Sequence, residues 1–244
     1  MRSQYLAGLV LASVMGASNV CAGDDLDQIN DLAQNQFEAL SEDLGSALAY
    51  RSVAPAEPLG VTGFDIGVSI TSTKLESIDA WETAIGDNDV SSSLYVPKVH
   101  VVKGLPWGID IGAFYTSVPD SNIKVVGGEL KYAIWEGGVA TPALAIRGSC
   151  ATLKGVDQLD FTTAGLDLSI SKGFAMFTPY AGIGVQRVSS EPQEDAGLVL
   201  DKESITQKRI MAGVNVGLTL FNAAFEFDQI GEATSYSVKV GVRF

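Results

Sequence analysis

The chain has 244 residues, a formal net charge of −13 and hydrophobic side chains at 46% of its positions. So large an excess of acid argues against nucleic acid as a partner, because the phosphates would repel it. The length suits one domain of ordinary size, and no segment past the N-terminus is long and apolar enough to cross a bilayer as a helix.

Residues 1–22 read as a secretory signal peptide. Arg2 supplies the positive charge, Tyr5 to Met15 form a short apolar core, and Val20-Cys21-Ala22 places small residues before a cut ahead of Gly23. Cleavage there leaves Cys150 as the one thiol, so an intramolecular disulfide is excluded. Residues 23–60 form a second unit. Leu26, Ile29, Ala33, Phe37, Leu40, Leu44 and Leu48 recur every three or four positions, which predicts an amphipathic helix. Arg51 to Gly60 is a linker containing Pro55 and Pro58. This segment either plugs the domain that follows or lies against its mouth. Acidic residues crowd Asp24, Asp25, Asp27, Asp31, Glu38, Glu42 and Asp43.

Residues 61–244 form the third unit, where the period changes to two. Phe64, Ile66, Val68 and Ile70 alternate with Asp65, Gly67, Ser69 and Thr71 in a first strand. Glu76 to Ser93 reads as a long polar loop with Asp87, Asp89 and, as a candidate anchor for a partner, Trp81. Leu94 to Lys103 is strand two, and Gly104 to Gly108 is a tight connection. Strand three presents Ile109, Ile111, Ala113 and Tyr115 outward, and Val118 to Asn122 is a short loop. Ile123 to Trp135 is strand four, and Val139 to Ser149 is strand five, followed by a loop to Leu159. Strand six presents Thr162, Ala164, Leu166, Leu168 and Ile170. Strand seven is Phe177 to Val188, and Ser189 to Thr206 is another polar loop, with Glu191, Glu194, Asp195, Asp201 and Glu203. Lys208 to Leu220 is strand eight. Strand nine carries Phe225 and Phe227, and Gln229 to Ala233 loops back. In strand ten Tyr236, Val238, Val240, Val242 and Phe244 alternate with small or polar residues.

The expected fold is all-β: a transmembrane antiparallel β-barrel of about ten strands, preceded by the amphipathic helix. An even strand number suits single-chain bacterial barrels, whose short turns are periplasmic and long loops extracellular. Connections after strands one, five and seven read as long. That pattern puts the C-terminus and the N-terminal helix in the periplasm. The ending Tyr236 to Phe244 resembles the C-terminal signal of Gram-negative outer-membrane barrels, with Tyr236 and Phe244 at its aromatic positions. The resemblance implies an outer-membrane location, contact with membrane lipid and lipopolysaccharide, and recognition of that ending by barrel-assembly machinery. A monomer is expected. Asp43-Leu44-Gly45 through Ala54-Pro55-Ala56-Glu57-Pro58-Leu59-Gly60, then Gly63-Phe64-Asp65-Ile66-Gly67, resembles an uncharacterised family of proteobacterial barrel proteins. The segment Pro55 to Gly60 is also similar to the N-terminal region of long-chain fatty-acid transporters, which are larger barrels.

The inward faces collect Asp65, Asp110, Glu129, Asp167, Glu226 and Asp228 against Lys98, Lys131, Arg147, Arg209, Lys239 and Arg243, with His100 among them. Such a set is either a structural ion-pair network or the lining of a selective pore. Inward glycines such as Gly112, Gly127 and Gly213 leave volume beside it. His100 is the single histidine, near Asp110 by hairpin pairing, and no nucleophile motif or metal-ligating cluster accompanies it. No catalytic, cofactor or metal site is expected, and the protein is not read as an enzyme. The leading function is passage of small or apolar solutes. The alternative is a structural or surface-binding barrel acting through its acidic loops.

Overall fold

A computed structural model describes residue 29 and residues 32–86, 90–117, 123–156, 158–193 and 200–244. The signal peptide (1–22), Asp24, Asp25, Asp27, Asp31, Asp87, Asp89, Glu194, Asp195 and the connection 118–122 lie outside the described residues.

Helix α1 (Gln34–Leu48) comes first, followed by β1 (Phe64–Lys74), helix α2 (Ile78–Ile85), β2 (Ser93–Leu105), β3 (Ile109–Ser117), β4 (Lys124–Trp135) and β5 (Ala143–Lys154). The chain continues through β6 (Leu159–Ser171), β7 (Phe177–Pro192), β8 (Glu203–Leu218), β9 (Phe221–Ile230) and β10 (Ala233–Arg243). Consecutive strands pair antiparallel and β10 returns to β1, so the ten strands form a closed barrel. Closure gives every strand two neighbours and removes the exposed edges of an open sheet. At the seam Asp65 faces Arg243 and Thr73 faces Ser235. The last residue completes it: Phe64 and Phe244 exchange both backbone hydrogen bonds, at 2.7 and 3.0 Å.

The alternation inverts along the strands. In the half nearer the C-terminus apolar side chains point out and charged ones point in. On β7 Ile183 and Val185 are exposed; on β6 Asp167 is buried between exposed Leu166 and Leu168. In the other half the polarity is reversed. Leu159 and Phe161 of β6 are buried while Asp160 and Thr162 face out, and Val188 of β7 is buried beside exposed Arg187. Ala151 and Leu153 of β5 and Val125 of β4 behave likewise. The cause is α1. It lies inside this half, and its Phe37, Leu40, Leu44 and Leu48 form one apolar cluster with those inward side chains. Gly45 permits the approach, since a Cβ there would collide with Val188.

That inversion corrects several strand ends. The two ends of the expected long loop 189–206 are extensions of β7 and β8, paired as far as Ser190↔Glu203. Strand five runs later than expected, Ala143–Lys154 rather than 139–149. Residues 139–142 are a turn closed by Gly138 N–H donating to Thr141 O at 3.0 Å, with Val139 fully exposed. The connection after β5, residues 155–158, is therefore short. The connection 231–232 after β9 is tighter than the expected 229–233. The supposed polar loop 76–93 contains a helix, α2.

Aromatic side chains ring the outside at two levels. Trp107, Trp135, Phe174, Phe177, Phe221 and Phe244 are exposed near the C-terminal end, and Tyr95, Tyr115 and Tyr236 near the other. Between them lies the outward belt of Ile, Leu and Val.

Candidate functional site: the filled lumen

The polypeptide between α1 and β1 runs down the barrel axis. Its start and end contacts fix that direction. The Gln34 side chain donates to Asp201 O at 3.1 Å and accepts from Asp201 N–H at 2.8 Å, between β7 and β8. At the opposite end the Lys103 ammonium donates to Gly63 O at 3.2 Å, next to the seam with Phe244. Helix α1 therefore does not share an end with the C-terminus, contrary to the reading that put both at one mouth.

The charged wall residues hold this descending segment. Lys98 donates to Ala49 O at 2.9 Å, and Arg209 to Tyr50 O at 3.1 Å. Lys131 donates to Pro55 O and Glu57 O at 3.2 and 3.0 Å. Ala56 N–H donates to Ser171 Oγ at 3.1 Å, and Leu59 N–H to the Asp110 carboxylate at 3.1 and 3.3 Å. An extended segment makes no ladder of its own, so its buried amides need such partners. Each one left unmade would cost about 1–3 kcal/mol.

The charges also satisfy one another. Arg51 of the segment lies 3.2 Å from Asp228, which lies 2.6 Å from Arg209. Arg209 reaches Asp167 at 3.2 Å, Asp167 reaches Arg147 at 2.8 Å, and Arg147 reaches Glu129 at 3.7 Å. Glu129 accepts from Ser52 Oγ at 3.1 Å, which returns the chain of contacts to the segment. Separate pairs join Lys131 to Asp110 and Lys239 to Asp65, each at 2.9 Å. Tyr180 donates to Glu226 at 2.9 Å.

Of the residues expected to point inward, Asp65, Lys98, His100, Asp110, Glu129, Lys131, Arg147, Asp167, Arg209, Glu226, Asp228 and Lys239 are all buried. Arg243, near the chain end, is only half-buried. His100 is not beside Asp110. It faces Phe114 across β3, and its Nε2 lies 3.5 Å from Asp65. Glycine volume is filled from within: the Tyr180 ring covers Gly213, and the Tyr50 hydroxyl would lie 2.9 Å from a Cβ on Gly112.

Three contributors escaped the sequence. Arg51 sat in an apparent linker, Tyr50 packs edge-on against Phe114 at 5.3 Å, and Ser52 bonds Glu129. Their signal was a lone Arg between Tyr and Ser in an otherwise apolar, Pro-containing stretch. Trp81 is no exposed anchor. It is buried in α2, and its indole N–H donates to Asp43 at 3.1 Å. Asp43 also accepts from Glu76 N–H at 3.2 Å and Ser77 N–H at 3.0 Å, which ties α2 over α1. Cys150 faces outward and is free.

No family model matches the chain, and no curated protein does. Among solved structures the chain is similar to the N-terminal β-barrel domain of Pseudomonas aeruginosa OprF, at 14% identity and TM-score 0.36, over 73% of this chain and 97% of that one. It is also similar to the KdgM porin, at 9% identity and TM-score 0.35, over 73% of this chain and 99% of that one. The translocator domain of the autotransporter NalP from Neisseria meningitidis gives 10% identity and TM-score 0.36, over 82% of this chain and 91% of that one. Similarity this low carries no argument about activity.

Proposed function

We propose that the protein is an integral outer-membrane barrel that its own N-terminal segment closes to solutes, and that it acts through the end bearing α2 and the β7–β8 extension. The single observation behind closure is that wall charges bond the backbone of residues 49–59 along the axis. A pore lining would leave those groups to water and solute. The outward apolar belt between two aromatic levels supports membrane insertion. On this reading the short connections 106–108, 172–176 and 219–220 face the periplasm with the C-terminus, and 75–92 and 193–202 face outward. Tyr236 to Phe244 would be what barrel-assembly machinery recognises, the belt would meet lipid and lipopolysaccharide, and the barrel would work as a monomer. The reading includes no catalysis; His100, buried with its Nε2 3.5 Å from Asp65, is taken as a structural partner of that acid.

Passage of solutes is the second reading. It is favoured by the near balance of acids and bases left on the wall if the segment withdraws. Planar-bilayer recordings separate the two. The full chain should give no stable currents, and a chain lacking residues 23–62 should give them. Stable currents from the full chain would favour passage.

A further inference from the structure

The outer wall carries a basic level that closure of the lumen does not account for. On β1, β4, β5, β7 and β8 the first charged outward side chain past the apolar belt, toward the end bearing α2, is Lys74, Lys124, Lys154, Arg187 and Lys208 in turn, and each is exposed. Strand β6 reaches an acid there instead, Asp160, which accepts from the Gln193 side chain at 2.5 Å. A chain of net charge −13 would not give such a level by composition alone. The opposite end has no counterpart, because Lys103 and Lys172 are taken by the backbone carbonyls of Gly63 and Gly138 at 3.2 and 2.8 Å.

Two of these bases face each other. Lys124 and Lys154 are direct partners across β4 and β5, with both side chains outside. Like charges directly opposite on a sheet repel, and among the described residues no acid or other acceptor takes either ammonium. Their neighbours are better provided for: Lys74 pairs with Glu76 at 3.0 Å, and Arg187 donates to Ser204 Oγ at 2.9 and 3.1 Å. Below the two lysines the same strands pair Val126↔Thr152, Gly128↔Cys150 and Leu130↔Gly148. Gly128 and Gly148 face out, and a Cβ on Gly148 would meet nothing within 4 Å. The wall is therefore recessed beneath the two ammonium groups.

We infer that Lys124 and Lys154 bind a phosphate of lipopolysaccharide, the outer-leaflet glycolipid, with one of its acyl chains lying over Gly128 and Gly148. The inference rests on the orientation given under the proposed function, and it gives the lipid contact named there a definite site. A phosphate between two ammonium groups cancels their repulsion and accepts charge-assisted hydrogen bonds from both. Basic side chains just past an apolar belt sit where anionic headgroups lie. Arg187 and Lys208 extend the same level toward neighbouring glycolipid molecules.

Photo-crosslinking in Gram-negative cells expressing the full chain tests this. Benzoylphenylalanine is placed at Thr152, on the outer face of β5 two residues before Lys154, or at Trp135, at the other aromatic level. Adducts on the purified, denatured protein are read with antibody to lipopolysaccharide. Position 152 should give the adduct and position 135 should not. Lys124→Gln combined with Lys154→Gln should abolish it, and the corresponding pair of Arg substitutions should keep it. Lys202→Gln, which loses a partner of Glu191 at the tip, should leave it unchanged. An adduct at 152 that persists in the double Gln variant would overturn the inference while leaving the orientation standing, as would the lack of any adduct at either position. An adduct at 135 and none at 152 would overturn the orientation and the inference with it. Gel mobility of the folded form checks that each variant assembles, which removal of two facing like charges should not impair.

Discussion

Arg51, in the segment that descends through the lumen, lies 3.2 Å from Asp228 on β9, and both side chains are fully buried. The same carboxylate binds Arg209 of β8 at 2.6 Å. One wall acid therefore fastens the segment and a neighbouring strand together.

The two partners are not equivalent. Asp228→Asn leaves two buried guanidiniums without their shared anion and should cost about 3–5 kcal/mol, the range for breaking a buried pair. Arg51→Met leaves Asp228 still paired with Arg209 and should cost clearly less. Urea unfolding in detergent micelles, followed on both variants, checks the order. Equal losses would mean that the pair with Arg51 carries the whole contribution of Asp228.

The three tryptophans report on different surroundings. Trp107 and Trp135 are 84% and 61% exposed on the outside of the barrel, whereas Trp81, on α2, is buried. Brominated lipid should quench Trp107 and Trp135 and spare Trp81. Asp43→Ala removes the acceptor of the Trp81 indole and should red-shift its emission, measured in a Trp107→Phe, Trp135→Phe background. An unchanged Trp81 spectrum would show that Asp43 does not hold α2 in place.

Acid should tighten the cap. Burial pushes the Asp43 carboxyl upward against its backbone and indole donors. Glu42 is raised as well, by burial first and then by Glu38, Glu232 and Asp43. A carboxyl whose folded pKa exceeds its unfolded value, ~4, adds stability that is full below that value. The contribution is lost as pH rises through the raised folded value. Hydrogen exchange of α1 should therefore slow, relative to the intrinsic rate, from pH 7 down toward pH 4. Glu42→Gln should flatten that dependence, and parallel profiles for the two proteins would count against it.

The inversion of alternation sets a boundary that charge can probe. Val240 lies in the outward belt, and Thr162 faces out beyond it. Val240→Arg should destabilise the lipid-embedded barrel by about 2–4 kcal/mol, and Thr162→Arg by only ~0–1 kcal/mol, as depth in the bilayer dictates. Refolding titrations into vesicles measure both. Similar costs would move the membrane boundary.

Strand number, closure and the inward charges were legible in the sequence, because period two with apolar residues outward is unambiguous where the outside is apolar. The reading failed where α1 lies inside. There Val188, Ile205, Leu153 and Leu159 point inward or pack on the helix cluster, and the outer face is polar. A rule that puts apolar residues outward ends β5, β7 and β8 wrongly at those positions. Helix α2 was hidden because it is only eight residues long and carries Asp79 and Glu82, with Asp87 and Asp89 beyond it in the sequence, so it reads as part of a polar loop until Asp43 is seen holding Trp81. The purpose of the charges was equally hidden. Nothing local to Lys98, Lys131 or Asp110 says that each will bind the backbone of a segment tens of residues earlier.

Closure of the lumen by residues 49–59, through bonds to its charged wall, is read out by single-channel recording in planar bilayers, comparing the full chain with the chain lacking residues 23–62. Silence from the first and stable currents from the second are the expected results. Stable currents of similar size from both would contradict closure by this segment.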